Sequence, residues 1–361
     1  EITDGRIYGR GAIDDKGPAV AVIYAVKALM DSGLPLKRRV RIIFGTDEEN
    51  KWECMDHYRA TEELPNLGFS PDAEYPVIFA EKGVMFLKLS GKFEVKPDTL
   101  YITDLRGGQF PNMVPDSCIA EIHVPAGAEK YVEKWAETVG NNNVSLCFKD
   151  RVISIKVRGL SAHGSTPEMG INAVSVMMEL LGTIDRLDDS QRGFINFYNE
   201  RIGRETNGHM LIGEVSDEIS GSLVLNAGVL NLDMQKVMLN INIRFPVTFK
   251  GADIVDKITQ AIKPYQLELS VDLNSEPLYQ EIGSDIVQTL LAVYRSFKDD
   301  GSEPLCIGGG TYARSMNCSV AFGPVFPGQT ELAHCPNEYI SIEDLILNAR
   351  IYAEAIRRLA Q

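Results

Sequence analysis

Four short segments carry carboxylates or an imidazole in settings where a fold has little need of them. Residues 9–18 read GRGAIDDKGP, with Asp14 and Asp15 between glycines just ahead of an apolar helical pattern. Residues 45–50, GTDEEN, set Asp47, Glu48 and Glu49 directly after an apolar run. Asp72 follows a proline in SPDAEYPV, residues 70–77. His334, one of five histidines, stands in the polar stretch ELAHCPNEYI, residues 331–340. Carboxylate oxygens and imidazole nitrogens are the donors that zinc and other divalent ions take. Each segment also has an ordinary reading. One aspartate of the pair caps the helix, the three acids make a solvated loop, Asp72 belongs to a turn, and a lone histidine is structural.

The elements that would position these groups follow an α/β rhythm at both ends of the chain. Residues 17–33 bring Val22, Val26 and Leu29 to helical spacing, with Ile23 and Met30 beside them, and Gly33 closes the pattern. RRVRIIF, residues 38–44, reads as a buried strand that delivers the acids of residues 47–49 to its carboxyl end, where α/β folds gather their sites. From about residue 83 the rhythm changes. Strand-like runs at 84–90, 118–124, 152–158 and 237–244, with a helical pattern over 170–187, predict an α+β insertion built on an antiparallel sheet. Helical patterns return near residue 284 and over Ile342–Leu359. The expected layout is a discontinuous catalytic domain, residues 1–82 and 279–361, interrupted by a second domain at 83–278.

Taken together, the four segments stand in the order of a known family. The chain resembles the co-catalytic zinc peptidases of family M20, most closely the bacterial dipeptidase V and Xaa-His dipeptidase branch. GGQFPNMVPD at 107–116, LSAHGSTPEMGINA at 160–173 and GGGTYAR at 308–314 extend the likeness over nearly the whole chain. The resemblance implies a zinc-peptidase catalytic domain with an inserted α+β lid, and two divalent metal ions, zinc with manganese or cobalt as alternatives. In it Asp14 bridges both metals, Glu49 and His334 complete one site, and Asp72 serves the other. Glu48 is the general base that deprotonates the attacking water. His163 stabilises the tetrahedral oxyanion, and Asn112 assists there or binds the substrate backbone. Arg244, at a strand end, clamps the substrate carboxylate. Gly310 allows close approach of the substrate, and Arg314 is a second carboxylate contact. Asp15 has a supporting role, with helix capping preferred.

The chain departs from the family at one point. An H-x-D motif, whose histidine would complete the second metal site, is expected some tens of residues before GRGAIDDKGP, and only eight residues precede Gly9. The chain also opens without methionine. The expectation is a longer gene product that carries the motif, with an inert truncated homologue as the competing reading.

Composition narrows the classes. A net charge of -14 argues against a nucleic-acid binder, since phosphate recognition needs a basic face. No apolar run reaches the roughly 18 residues of a membrane span, and six scattered cysteines read as reduced thiols of a cytoplasmic protein. GRGAIDDKG lacks the G-x-G-x-x-G spacing of a dinucleotide fold. The resulting expectation is a monomeric metallo-dipeptidase acting on short unblocked peptides. An N-acyl-amino-acid deacylase using the same metals and base is the alternative.

Overall fold

A computed structural model describes residues 1–49, 52–140, 143–330 and 332–361. Asn50 and Glu331, at the ends of two of the motifs above, lie outside the described residues. The chain packs as two compact units, Glu1–Glu81 with Leu278–Gln361, and Lys82–Pro277.

In the first unit the helix Lys16–Ser32 ends at Gly33, whose φ of 67° is left-handed and suits glycine. Its inward stripe is Pro18, Ala21, Ala25 and Leu29, whereas Ile23 and Met30 are exposed. That corrects the expected apolar face. Small alanines let this helix pack closely on the final helix, Ile342–Leu359, and the bulkier neighbours are turned outward. The final helix opens on Ser341, whose hydroxyl accepts the Asp344 amide, and carries Arg357 and Arg358 in its last turn, so both ends are satisfied. Helix Asp285–Phe297 packs against it.

A mixed sheet forms the centre of this unit. Its strands run in the order Leu278–Tyr279, Ile78–Glu81, Ser319–Ala321 and Gly68–Ser70, and Leu305–Ile307 pairs in parallel with Ile78–Glu81. Tyr75 is wholly buried among Tyr294, Phe322 and Phe326, and its hydroxyl donates to Asn348 Oδ1 at 2.7 Å. Residues 38–44 do not form the expected buried strand. A strand persists only where a neighbour takes up its amides and carbonyls. The strands of this sheet pair with one another and not with that segment. Val40–Phe44 instead line a cavity of about 900 Å³ together with Met55, Phe69 and Ile356.

The second unit is built on an eight-stranded antiparallel sheet in the order Glu268–Ser275, Gly83–Lys92, Lys236–Phe245, Val224–Asp233, Tyr101–Gly107, Ser117–His123, Val152–Arg158 and Val144–Lys149. Strict alternation decides which face is covered. Cys118, Ala120 and Ile122 are buried, as are Ile153, Ile155 and Val157 opposite them, while the residues between face outward. Helix Ala173–Leu181 packs on that buried face and is capped by Asn172, whose side-chain oxygen accepts the amides of Val174 and Ser175. A bulge between Ala227 and Val229 breaks the register of one central strand.

Candidate active site

The loop of residues 10–14 is shaped by a carboxylate distant in sequence. Glu338 is 3% exposed and accepts the amides of Gly11, Ile13 and Asp14 at 3.0, 2.9 and 3.2 Å, as well as the Arg10 guanidinium at 3.1 Å. Burial opposes its charge, but those donors outweigh burial and hold its carboxyl below the usual range. Three amides converging on one anion fix the backbone that carries Asp14.

Asp14 then meets two of its expected companions. His334 Nε2 lies 2.8 Å from Asp14 Oδ2 and 3.1 Å from Glu49 Oε1. One ligand atom from each of the three falls within 4.8 Å of the others. The set is a nitrogen and two carboxylate oxygens on side chains open to solvent, which suits a divalent ion of the zinc class. Arg10 reaches the same carboxylates, 3.7 Å from Asp14 and 3.1 Å from Glu49.

Three further acids crowd this place and share the shortage of positive charge. Burial, then Glu49 and Asp14, push Glu48 up to about 7. Burial and Asp14 push Asp15 up to about 7. Asp72, just past the end of strand Gly68–Ser70, rises to about 9 through burial and the charges of Asp15, Glu48, Asp14 and Glu49. Asp15 stands at the N-cap position, but its side chain makes no capping hydrogen bond, and its Oδ1 is buried without a partner among the described residues. The capping role preferred for it is therefore not what its side chain does. An orphaned buried oxygen beside carboxylates that resist ionising fits a place made for cations.

The GGGTYAR segment is occupied by the protein itself. Glu81 is wholly buried and accepts the Thr311 amide at 3.1 Å, its hydroxyl at 2.7 Å and Arg314 Nε at 3.0 Å. Arg314 also donates to the Gly309 carbonyl at 2.9 Å. A Cβ on Gly310 would come within 2.5 Å of Arg314 Nη2, so the missing side chain makes room for this guanidinium. This geometry favours a brace over the substrate contacts expected of Arg314 and Gly310.

In the second unit Asn112 and His163 are brought together. The Gly164 amide donates to the Asn112 carbonyl at 2.7 Å, Val114 donates to Ala162 at 2.9 Å, and Met113 pairs with His163 in an antiparallel bridge. His163 is exposed, with Nδ1 at 2.6 Å from Ser165 Oγ. Arg244 is only 7% exposed, in strand Lys236–Phe245, and its Nε donates to Asn242 Oδ1 at 3.2 Å.

Comparison with known proteins decides the family. Residues 1–358 match peptidase family M20/M25/M40. The chain belongs to that family. It is 39% identical over 367 residues to the Bacillus subtilis (strain 168) protein named "Putative dipeptidase YtjP", an alignment covering 100% of this chain and 78% of that one. A like-named protein of Staphylococcus epidermidis (strain ATCC 12228 / FDA PCI 1200) is 36% identical, with 99% and 77% covered. Among solved structures, aminopeptidase PepT from Bacillus cereus ATCC 10987 aligns at a TM-score of 0.55 and 15% identity, over 100% of this chain and 76% of that one. The metallo-carboxypeptidase Sso-CP2 from Sulfolobus solfataricus gives 0.50 at 14% identity, with 99% and 78% covered. These two likenesses show the fold, a catalytic domain interrupted by an inserted one.

As a member of this peptidase family the protein is a hydrolase acting on peptide bonds. Three groups that organise its site escaped the sequence reading: Arg10, Glu81 and Glu338. Arg10 and Glu338 stand inside the quoted motifs, four residues from Asp14 and His334 respectively. Nothing in local spacing reveals that Glu338 reaches back across more than 300 residues. Glu81 ends a strand buried at every position, and a charge in that setting is the signal that could have found it.

Proposed function

We propose that the protein is a metal-dependent dipeptidase that cleaves short unblocked peptides. The observation that carries this reading is His334 Nε2 within 3.1 Å of both Asp14 and Glu49, beside a buried acid held near neutrality. Asp14, Glu49 and His334 would hold one divalent ion, and Asp14 with Asp72 would contribute to a second, with zinc the best match to the donors. Bound ions of this kind lower the pKa of water and polarise a carbonyl oxygen.

Glu48 is the base. Burial beside other carboxylates raises the Glu48 carboxyl in the metal-free chain, and a carboxylate so placed can take a proton from water and give it up again. Water adds to the scissile carbonyl carbon and loses a proton to Glu48. The C–N bond then breaks and the same proton passes to the leaving nitrogen, giving a free amine and a carboxylic acid whose remaining proton is lost to the amine or to solvent. Arg10, between Asp14, Glu49 and Glu338, steadies the carboxylates around that exchange. For the second unit we propose the roles the family likeness suggests: His163 and Asn112 at the developing oxyanion, and Arg244 at the terminal carboxylate.

The test uses Glu48→Gln in the full-length protein, with unblocked dipeptides and their N-acetyl forms as substrates. Loss of turnover by about 10²-fold or more, with metal content unchanged, supports the base assignment. Loss of metal together with turnover would make Glu48 a ligand. Faster release from the N-acetyl form would make the protein a deacylase.

A further inference from the structure

Asn226 lies inside the eight-stranded sheet at 1% exposure, two residues before the bulge at Gly228. Its Nδ2 donates to the carbonyls of Pro111 and Met113, both at 2.9 Å, so one amide group grips the residues on either side of Asn112. The direction of the amide is fixed by chemistry, since turning it over would set its oxygen against two carbonyl oxygens. Oδ1 has no hydrogen-bond partner among the described residues. A buried amide that leaves its acceptor unsatisfied is retained at some energetic cost, and leucine or valine would fill a sheet core without that cost.

Other details point the same way. Gly228 carries no side chain where a Cβ would stand 2.3 Å from the Pro111 carbonyl oxygen, so the bulge lets the 111–113 turn lie directly on the strand. Asn172 ties the strand to the helix that follows the His163 loop, donating to the Ala227 carbonyl at 3.0 Å. The Asn112 carbonyl in turn holds the Gly164 amide, next to His163. The chain of contacts runs from Asn226 to the backbone around Asn112 and on to the loop of His163.

We propose that Asn226 is a positioning residue, which sets Asn112 and His163 for the reaction without itself touching substrate. This rests on the reading above in which those two residues meet the substrate. Placement of reacting groups is steeply rewarded, and an error of about 1 Å costs about a hundredfold.

The experiment is a mutant cycle in the full-length protein, with Asn226→Ala, the Asn112→Ala/His163→Ala pair and the triple variant assayed on an unblocked dipeptide. Asn226→Ala is expected to lower kcat by about tenfold to a hundredfold while changing KM by less than about threefold. Added to the Asn112→Ala/His163→Ala pair, it should cost less than about twofold, because the groups through which the residue acts are already removed. Additive losses in the cycle overturn the proposal. Histidine NMR gives a readout that needs no turnover: the resonance missing from the His163→Ala spectrum is the one that Asn226→Ala must shift, with the other four histidines unmoved. A His163 signal that stays in place sinks the proposal even if the protein is an active dipeptidase, whereas an inactive wild type with a shifted signal faults only the functional reading. Asn226→Asp, of equal shape but setting a carboxylate against two carbonyls, should reproduce both effects. Loss of fold in both Asn226 variants makes the residue a core group and refutes the role.

Discussion

Glu338 accepts the Asp14 amide at 3.2 Å, so the direction of one carboxylate is fixed by another more than 300 residues away. Because Gly11 and Ile13 donate to the same anion, the loop has little freedom to turn Asp14 away from His334. Glu338→Gln keeps the shape but replaces one acceptor oxygen with a donor that faces amide N–H groups. Groups that orient a ligand without touching the ion typically contribute about 10–100-fold to metal affinity, and a loss of that size is expected here. Competition against a chelator measures it. Unchanged affinity would show that Asp14 is held by other means.

The crowded acids predict how stability changes with pH when metal is removed. Asp15 and Glu48 titrate near 7 and Asp72 near 9 in the folded protein, all above their ordinary values of 3.8, 4.5 and 3.8. Above those ordinary values the folded chain therefore binds more protons than the unfolded one. Stability from these groups is complete below about pH 4 and is lost as pH rises through the folded values, up to about pH 9. In chelator, Tm should fall steadily between about pH 5 and 9, and added zinc should raise it most at the alkaline end. A Tm that climbs with pH under chelation contradicts the arrangement.

Arg314 and Glu81 form a buried ion pair, at 5% and 0% side-chain exposure. Arg314→Leu leaves Glu81 buried without its cation, at a cost of about 3–5 kcal/mol in urea unfolding. Gly310→Ala forces a Cβ against the same guanidinium and should cost about 1–3 kcal/mol. If both variants keep full stability and instead raise KM for dipeptides, Arg314 binds the substrate carboxylate after all.

Much of this was legible in the residues. Alternation at 118–124 and 152–158 announced the antiparallel sheet, because one covered face imposes period two on any strand. The family resemblance implies Asp14, Glu49 and His334 as companions, and the fold gathers them. The supporting groups were hidden for a physical reason. Glu338 and Glu81 act through bonds that span hundreds of residues, and sequence spacing carries no record of such closure. The inward face of Lys16–Ser32 differs from the one periodicity marks, because close helix packing favours alanine over the larger side chains that periodicity weighs most heavily.

Val40–Phe44 has the apolar, β-branched character of a buried strand, yet no backbone hydrogen bond joins it to any strand among the described residues. Amides without such bonds exchange with solvent at rates set by local exposure, whereas those of Ile78–Glu81, wholly buried and paired on both sides, open only with wider unfolding. Hydrogen exchange on this 361-residue chain should therefore show rapid labelling of 40–44 beside strong protection of 78–81. The contrast should persist when metal is added, since none of these five residues belongs to the proposed ligands. Strong protection at 40–44 in this chain would mean that the segment has found a backbone partner in solution, and that the neighbouring cavity of about 900 Å³ is closed by a strand pairing absent from this structure.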